Sequence, residues 1–74
     1  MSQVLDTALK NGVCKVKLSA TGEVRINVHG GNPPSLVIEH GKVYNLLEYY
    51  TVSQIKKSNL GSFVMSKRVS ILPS

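Results

Sequence analysis

The chain has 74 residues, of which 42% are hydrophobic and 18% charged, and its 9 Lys and Arg against 4 Asp and Glu give a net charge of +5. A chain of this length forms one domain, 1–74, without room for separate substrate and cofactor domains. Its hydrophobic content is too high for a disordered tail. No apolar run is longer than 36–38, so we expect no membrane-spanning helix and no membrane partner.

The start of the chain and its single cysteine indicate the compartment. Residues 1–4 lack the basic and apolar regions of a secretory signal. Cys14 has no second cysteine with which to form an intramolecular disulfide, which favours a reducing compartment. We therefore expect the protein in the cytoplasm or in a virion, and we do not expect secretion through a signal peptide.

The first elements in chain order are a short helix and two strands. Apolar residues recur at helical spacing over 4–9, Ser2 can cap that helix, and Gly12 can end it. The next two segments, 13–20 and 23–29, alternate apolar with polar residues. This pattern is typical of strands that have one buried and one solvated face.

The alternation also predicts how these two strands pair. A two-residue loop would place Leu18 opposite Arg25 and mix the two faces. A three-residue loop at 20–22 places Leu18 opposite Val24 and keeps one face dry. We therefore predict a β-hairpin in which Gly22 adopts a left-handed conformation.

A second hairpin is predicted after the glycine- and proline-rich loop. Its strands flank a tight turn at 40–41. In this hairpin Glu39 faces Lys42, an opposite-charge contact, and Ile38 faces Val43, an apolar contact. Both contacts favour pairing of the two strands with each other.

A short helix and a closing strand complete the chain. Thr51 followed by Gln54 matches a capping box, which predicts a helix over 52–59 that ends before the next glycine. The run 62–72 alternates like a strand, and Lys67 interrupts the inward pattern. We therefore predict a bulge or an edge position at Lys67.

These elements predict an α+β fold. About five strands form a small antiparallel sheet or a partly open barrel, and two short helices accompany them. The chain then divides into a helix and hairpin at 1–29, a Gly/Pro loop at 30–35, and a hairpin, short helix and closing strand at 36–74.

Catalytic and metal-binding patterns are missing from the sequence. Its four acids lie dispersed, mostly beside turns or near an end, rather than as a pair. In the predicted hairpin Cys14 lies on the dry face and His29 on the wet face, so the two cannot share a metal. The glycines of the loop lead into a strand, unlike a phosphate cradle. We expect no enzyme activity, no metal or other cofactor and no small-molecule substrate.

Basic residues suggest an anionic partner, nucleic acid in particular. The predicted hairpin places Lys15, Lys17 and Arg25 on one wet face. Two further basic pairs are Lys56 with Lys57 and Lys67 with Arg68. Only 5% of the residues are aromatic, too few for stacking on single-stranded bases. The start of the predicted helix resembles a helix-turn-helix, but the strand predicted after it argues against that motif.

Protein–protein assembly is the other function that the sequence favours. The segment 45–50, where helix and strand signals conflict, carries the apolar residues Leu46, Leu47, Tyr49 and Tyr50. This cluster either closes the core or forms a subunit interface, where Tyr is favoured. The edges of a small sheet offer a further means of joining a partner or a second copy.

The second half of the chain combines strands, a tight turn and short motifs in a definite order. In order it reads strand, tight turn, Lys42-Val43-Tyr44, Thr51-x-x-Gln54, Ser58-x-x-Gly61-x-Phe63 and a closing strand. This layout resembles small accessory virion proteins of tailed phages, and the resemblance implies a contribution to head or tail assembly. It assigns no functional residues.

Three function classes follow from these observations. The first is a non-catalytic interaction or assembly protein, such as a phage or virion structural component, which binds a protein partner or itself. The alternative is a basic, sequence-nonspecific nucleic-acid-binding protein. The third is a small inhibitor or regulator of a host protein.

Overall fold

The computed structural model describes residues 3–72 and has three α-helices, a short 3₁₀ helix and five strands within them. In chain order these are α1 (Gln3–Lys10), β1 (Lys15–Leu18), β2 (Glu23–Asn27), β3 (Ser35–Glu39), β4 (Val43–Asn45), the 3₁₀ helix (Leu46–Glu48), α2 (Val52–Lys57), α3 (Leu60–Met65) and β5 (Val69–Leu72). The predicted α+β class and the number of strands are confirmed, whereas one more α-helix is present than the two predicted.

The strands form two antiparallel sheets rather than one. The three-stranded sheet has the order β4-β1-β5, and the two-stranded sheet pairs β2 with β3. Neither sheet closes into a barrel. One hydrophobic core receives buried side chains from both sheets and from every described helix. Each sheet therefore has an inner side against the core and an outer side that faces solvent.

The predicted β1–β2 hairpin is wrong, although the faces of both strands are right. Leu18 lies opposite Val69 of β5, and Val24 lies opposite Ile38 of β3. Gly22 is left-handed as expected, with φ of +97°. The alternation predicts which side of a strand is buried. It does not predict the partner strand, because the inner residues of β3 and β5 are apolar like those of β1 and β2. The pattern therefore leaves the partner open.

The second hairpin is confirmed only at its turn. Gly41 has φ of +86°, and the Lys42 ammonium lies 2.6 Å from the Glu39 carboxylate as predicted. Ile38 does not pair with Val43, because β3 joins the two-stranded sheet and β4 joins the three-stranded sheet. The turn consequently connects the two sheets.

The C-terminal part differs most from the prediction. The capping box of Thr51 and Gln54 is present, but α2 ends at Lys57. A further helix, α3, follows where a strand was predicted, and β5 begins only at Val69. Leu60, Phe63 and Val64, all of which pack in or against the core, have helical spacing. The predicted strand instead required Phe63 and Met65 to be buried and Val64 to face outwards, whereas Met65 is 62% exposed.

Lys67 ends helix α3 instead of forming a bulge or a sheet edge. It is the one described non-glycine residue with positive φ, 64°. The Arg68 N–H donates to the Phe63 carbonyl and the Lys67 N–H to the Val64 carbonyl. These two bonds are those of a Schellman cap, in which the left-handed position usually carries glycine. Gly12 ends α1 with the same pattern, as predicted; the predicted cap Ser2 lies outside the described residues.

Candidate anion-binding face

Strand β1 has one buried and one exposed side. Val16 and Leu18 are buried in the core, and Lys15 and Lys17 are exposed. As the central strand of its sheet, β1 has a neighbour on each side. Its two lysines therefore lie in the middle of the outer surface of this sheet.

The residues around these lysines come from the two flanking strands. Lys15 lies between Asn45 and Leu72, and Lys17 lies between Val43 and Ser70. The ladder continues one residue beyond β1 and β5, because the Ser19 N–H donates to the Arg68 carbonyl over 2.8 Å. We call this outer surface the basic face; its residues are Lys15, Lys17, Ser19, Val43, Asn45, Arg68, Ser70 and Leu72.

None of the four acids of the chain is among the residues of the basic face. Asp6 is on α1 and Glu48 is in the 3₁₀ helix. Glu23 and Glu39 lie opposite each other in the two-stranded sheet. The basic face thus carries the charges of Lys15, Lys17 and Arg68 with no carboxylate among its residues, and an unbalanced surface of this kind attracts anions.

Arg25 does not belong to this face, which corrects the predicted cluster. It lies on β2, opposite Val37 of β3, in the other sheet. The nearest alternate positions on the outer side of that sheet hold Glu23 and Glu39. The predicted Lys17–Arg25 contact is therefore wrong, because it depended on the β1–β2 hairpin.

Arg68 joins the lysines of β1, a grouping that the sequence could not reveal. It precedes β5, and its guanidinium lies 5.5 Å from the centre of the Phe63 ring. A cation over an aromatic face is held by a modest attraction. Lys67 beside it is exposed but belongs to the cap of α3.

The remaining basic pair lies among the helices. Lys56 and Lys57 are exposed in the last turn of α2. Lys56 borders a small cavity together with Leu5, Asp6 and Met65. This pair is thus part of the helical region rather than of the basic face.

A groove of about 500 Å³, lined by both polar and apolar residues, lies between the basic face and the turn that connects β3 with β4. Its lining includes Lys17, Ser19 and Ser70 from the basic face and His40 and Lys42 from the turn. The Ser19 and Ser70 hydroxyls are 2.7 Å apart and hydrogen-bonded. Sequence reasoning missed this groove, because its two walls are far apart in the chain.

The glutamate next to the groove holds one of its cations. The Glu39 carboxylate both accepts a hydrogen bond from the Lys42 ammonium and attracts its charge, and these effects raise the pKa of Lys42. The base of the turn is braced separately, because the Glu39 N–H donates to the Tyr44 hydroxyl over 3.1 Å. The shape of the turn thus does not depend on the ion pair alone.

The predicted subunit interface is largely inside the protein. Leu46 is 1% exposed and Tyr50 is 4% exposed, and the Tyr50 hydroxyl donates to the Pro33 carbonyl over 2.6 Å. Burial, together with Tyr49, raises the pKa of the Tyr50 phenol. Leu47 is half-buried against the core, and only Tyr49, 47% exposed, is open to solvent. Leu46 and Tyr50 therefore close the core instead of forming an interface.

Cys14 is a core residue, as the sequence indicated. Its side chain is buried, and this burial raises the pKa of the thiol to about 11. His29 and His40 are exposed. Within residues 3–72 no cluster of three or more His, Cys, Asp or Glu side chains has the arrangement of a metal site.

The composition of α3 is unlike that of the recognition helix of a helix-turn-helix. A second helix does follow α2, contrary to the prediction. Helix α3 has the sequence LGSFVM, in which Leu60, Phe63 and Val64 pack in or against the core and Met65 is exposed. It therefore lacks the basic and amide side chains with which a recognition helix reads bases.

An apolar groove of about 700 Å³ lies between α1 and β5. Val4, which is 62% exposed, Ala8 and Ile71 are among the residues that line it. None of its described lining residues is charged, so this groove is chemically unlike the basic face.

Comparison of this chain with protein-family models, with curated proteins and with solved structures finds no match. The resemblance to accessory virion proteins of tailed phages therefore stays a prediction. None of the helices within 3–72 has the length and apolar content needed to cross a membrane.

Proposed function

We propose that this protein is a non-catalytic, sequence-nonspecific nucleic-acid-binding protein that contacts phosphates through its basic face. The observation that carries the proposal is the charge of that face: Lys15, Lys17 and Arg68 share it, and no acid does. Phosphate neutralisation by such cations provides most of the affinity in nonspecific binding.

The composition of the basic face favours contacts to the backbone over contacts to bases. None of its residues is aromatic, so bases have no ring on which to stack. Lysine ammonium groups bind phosphate as point charges and carry little sequence information. We therefore expect similar affinities for duplexes of different sequence.

The salt dependence of binding tests this proposal. Fluorescence anisotropy with labelled duplex DNA, single-stranded DNA and RNA is measured at about 50 and 200 mM salt. Three phosphate contacts, with a slope near −0.9 each on duplex DNA, weaken duplex binding about 40-fold over this range. Absence of binding to all three probes at 50 mM would overturn the proposal.

A matched pair of variants distinguishes the effect of the basic face on binding from the effect of net charge. K15E/K17E and K56E/K57E each lower the net charge from +5 to +1. The first should abolish measurable binding at 200 mM salt, and the second should retain most of it. Equal losses in the two variants would mean that total charge, rather than the basic face, determines binding.

We propose self-association through Tyr49 as a second candidate function, in line with an assembly role. The supporting observation is that Tyr49 is 47% exposed while its ring lies 6.1 Å from the buried Tyr50 ring. A large, partly anchored aromatic side chain is typical of interface centres.

Light scattering should give an oligomer for the wild type and a monomer for Y49K, with K15E/K17E unchanged from the wild type. A monomeric wild type at about 100 μM would contradict this candidate.

A further inference from the structure

The groove beside the basic face carries basic and polar side chains on both walls. On one side Lys17, Ser19 and Ser70 belong to the three-stranded sheet. On the other side His40 and Lys42 belong to the connecting turn. The groove volume of about 500 Å³ is large enough for a phosphate group and its water shell.

The serine pair offers a hydrogen-bond donor in this groove. The two hydroxyl oxygens are 2.7 Å apart, so one hydroxyl donates to the other. Two hydroxyls carry two hydrogens, and the pair therefore retains one O–H that can donate to an anion. Lys17 beside the pair adds a positive charge and up to three further donors. Cations and O–H donors together are the groups that bind phosphate oxygens.

Lys42 is the cation of the groove that already has a partner. Its ammonium is 2.6 Å from the Glu39 carboxylate, and both side chains are largely exposed. Exposed ion pairs of this kind are weak and open readily. A phosphate in the groove can therefore compete with Glu39 for Lys42.

We infer that the groove is a phosphate subsite, and that the Glu39 carboxylate restrains it by holding Lys42. In this account a phosphate binds Lys17 and the serine hydroxyls, and Lys42 exchanges Glu39 for the phosphate. The inference rests on the proposed function where the phosphate belongs to a nucleic acid. A free phosphate would present the same chemistry, so the test contains a separate arm for each source.

The first arm measures the affinity for labelled duplex DNA of two variants, each of which lacks one carboxylate. E39Q and E48Q each add one unit of net charge, but only Glu39 contacts Lys42. E39Q should bind DNA about 2- to 5-fold more tightly than E48Q at 50 mM salt, the range that a weak ion pair permits. Glu39 contacts Tyr44 through its backbone N–H, so the turn should retain its shape in E39Q.

A lysine variant shows whether the effect of E39Q passes through Lys42. K42Q should reduce the salt slope of duplex binding by about 0.9, the contribution of one phosphate contact. In the double variant E39Q/K42Q the gain in affinity should disappear. Equal affinities of E39Q and E48Q would overturn the inference, as would a K42Q variant with an unchanged slope.

The second arm uses inorganic phosphate and amide chemical shifts. Titration with phosphate, against chloride at equal ionic strength, should shift the amides of Lys17, Ser19, Ser70 and 40–42 along a saturable curve. Phosphate binding without any DNA binding would contradict the proposed function and would assign the subsite to a free phosphate. DNA binding that depends on Lys15 and Lys17 but not on Glu39 or Lys42 would contradict the subsite and retain the proposed function.

Discussion

The outer sides of the two sheets have the same alternating pattern but opposite charge balance. On the three-stranded sheet Lys15 and Lys17 have only uncharged cross-strand neighbours. On the two-stranded sheet Arg25 is accompanied by Glu23 and Glu39. Alternation thus makes both surfaces polar, whereas strand pairing decides which polar residues meet. Only the first surface is left with an excess of positive charge.

The open edge of the two-stranded sheet is covered by a side chain. On the open edge of β2 the Asn59 carboxamide accepts from the Asn27 N–H over 2.8 Å and donates to the Arg25 carbonyl over 3.3 Å. One side chain therefore replaces a neighbouring strand at two backbone groups and blocks pairing with another chain. The two-stranded sheet thus has two carboxylates against one cation on its outer side and is closed at this edge, features that do not favour binding of an anion or of another strand.

The largest expected effect on stability concerns the inner side of the three-stranded sheet. The pKa of Cys14, which precedes β1, is raised from 9.0 to about 11 by burial. Below pH 9 the thiol is protonated in the folded and the unfolded chain, so it adds no pH dependence. As the pH rises from 9 to 11 the unfolded chain loses this proton first, and stability falls by about 2–3 kcal/mol.

Urea unfolding at pH 8 and pH 11 measures this loss. C14A is the control, because it removes the thiol while the other titrating groups remain. The decrease in unfolding free energy between the two pH values should be smaller in C14A than in the wild type by about 2–3 kcal/mol. Identical decreases would show that the thiol is not buried as described.

A medium effect is expected at the edge of the two-stranded sheet. N59A removes both hydrogen bonds to β2 and should lower the unfolding free energy by about 1–2 kcal/mol. Amide hydrogen exchange should accelerate in β2 and β3 more than in β1. N59D keeps an acceptor for the Asn27 N–H and should lose less. Equal acceleration in both sheets would mean that Asn59 supports the whole fold rather than this edge.

The smallest expected effect on stability is that of alanine at Gly61, a change that leaves the outer surfaces of both sheets unaltered. Gly61 lies inside α3, and an added Cβ would find Leu5 at 3.9 Å, an ordinary contact. G61A should therefore raise the unfolding free energy by about 0.5–1 kcal/mol and leave DNA affinity unaltered. G31A is the contrast, because its Cβ would lie 2.6 Å from the Tyr50 ring, and this variant should be destabilised. A destabilised G61A would contradict the helical assignment of α3.

Local patterns predicted the faces and ends of elements well. The buried sides of β1 and β2, the capping box at Thr51, the helix end at Gly12 and the left-handed Gly22 all depend on residues close together in the chain. Strand partners depend on segments that are far apart in the chain and carry similar apolar residues, so the strand pairings of both predicted hairpins were wrong. Helix α3 was missed because Phe63 and Met65 flank Val64 as inner residues of a strand would, although Met65 is exposed and Val64 packs against the core.

The candidate site was predictable only in part, for the same reason. The exposure of Lys15 and Lys17 follows from alternation. The separation of Arg25 from them, and the addition of Arg68, follow from the pairing of β1 with β5. The groove also requires the turn between β3 and β4 to lie beside β1, a contact that no local pattern encodes.

The most direct test compares one charge reversal on each sheet. K17E and R25E change the net charge equally, and both positions are exposed in the middle of a strand. With labelled duplex DNA at about 100 mM salt, K17E should lower affinity at least 10-fold and R25E no more than about 3-fold. Equal losses in the two variants, or a larger loss in R25E, would contradict the assignment of binding to the basic face.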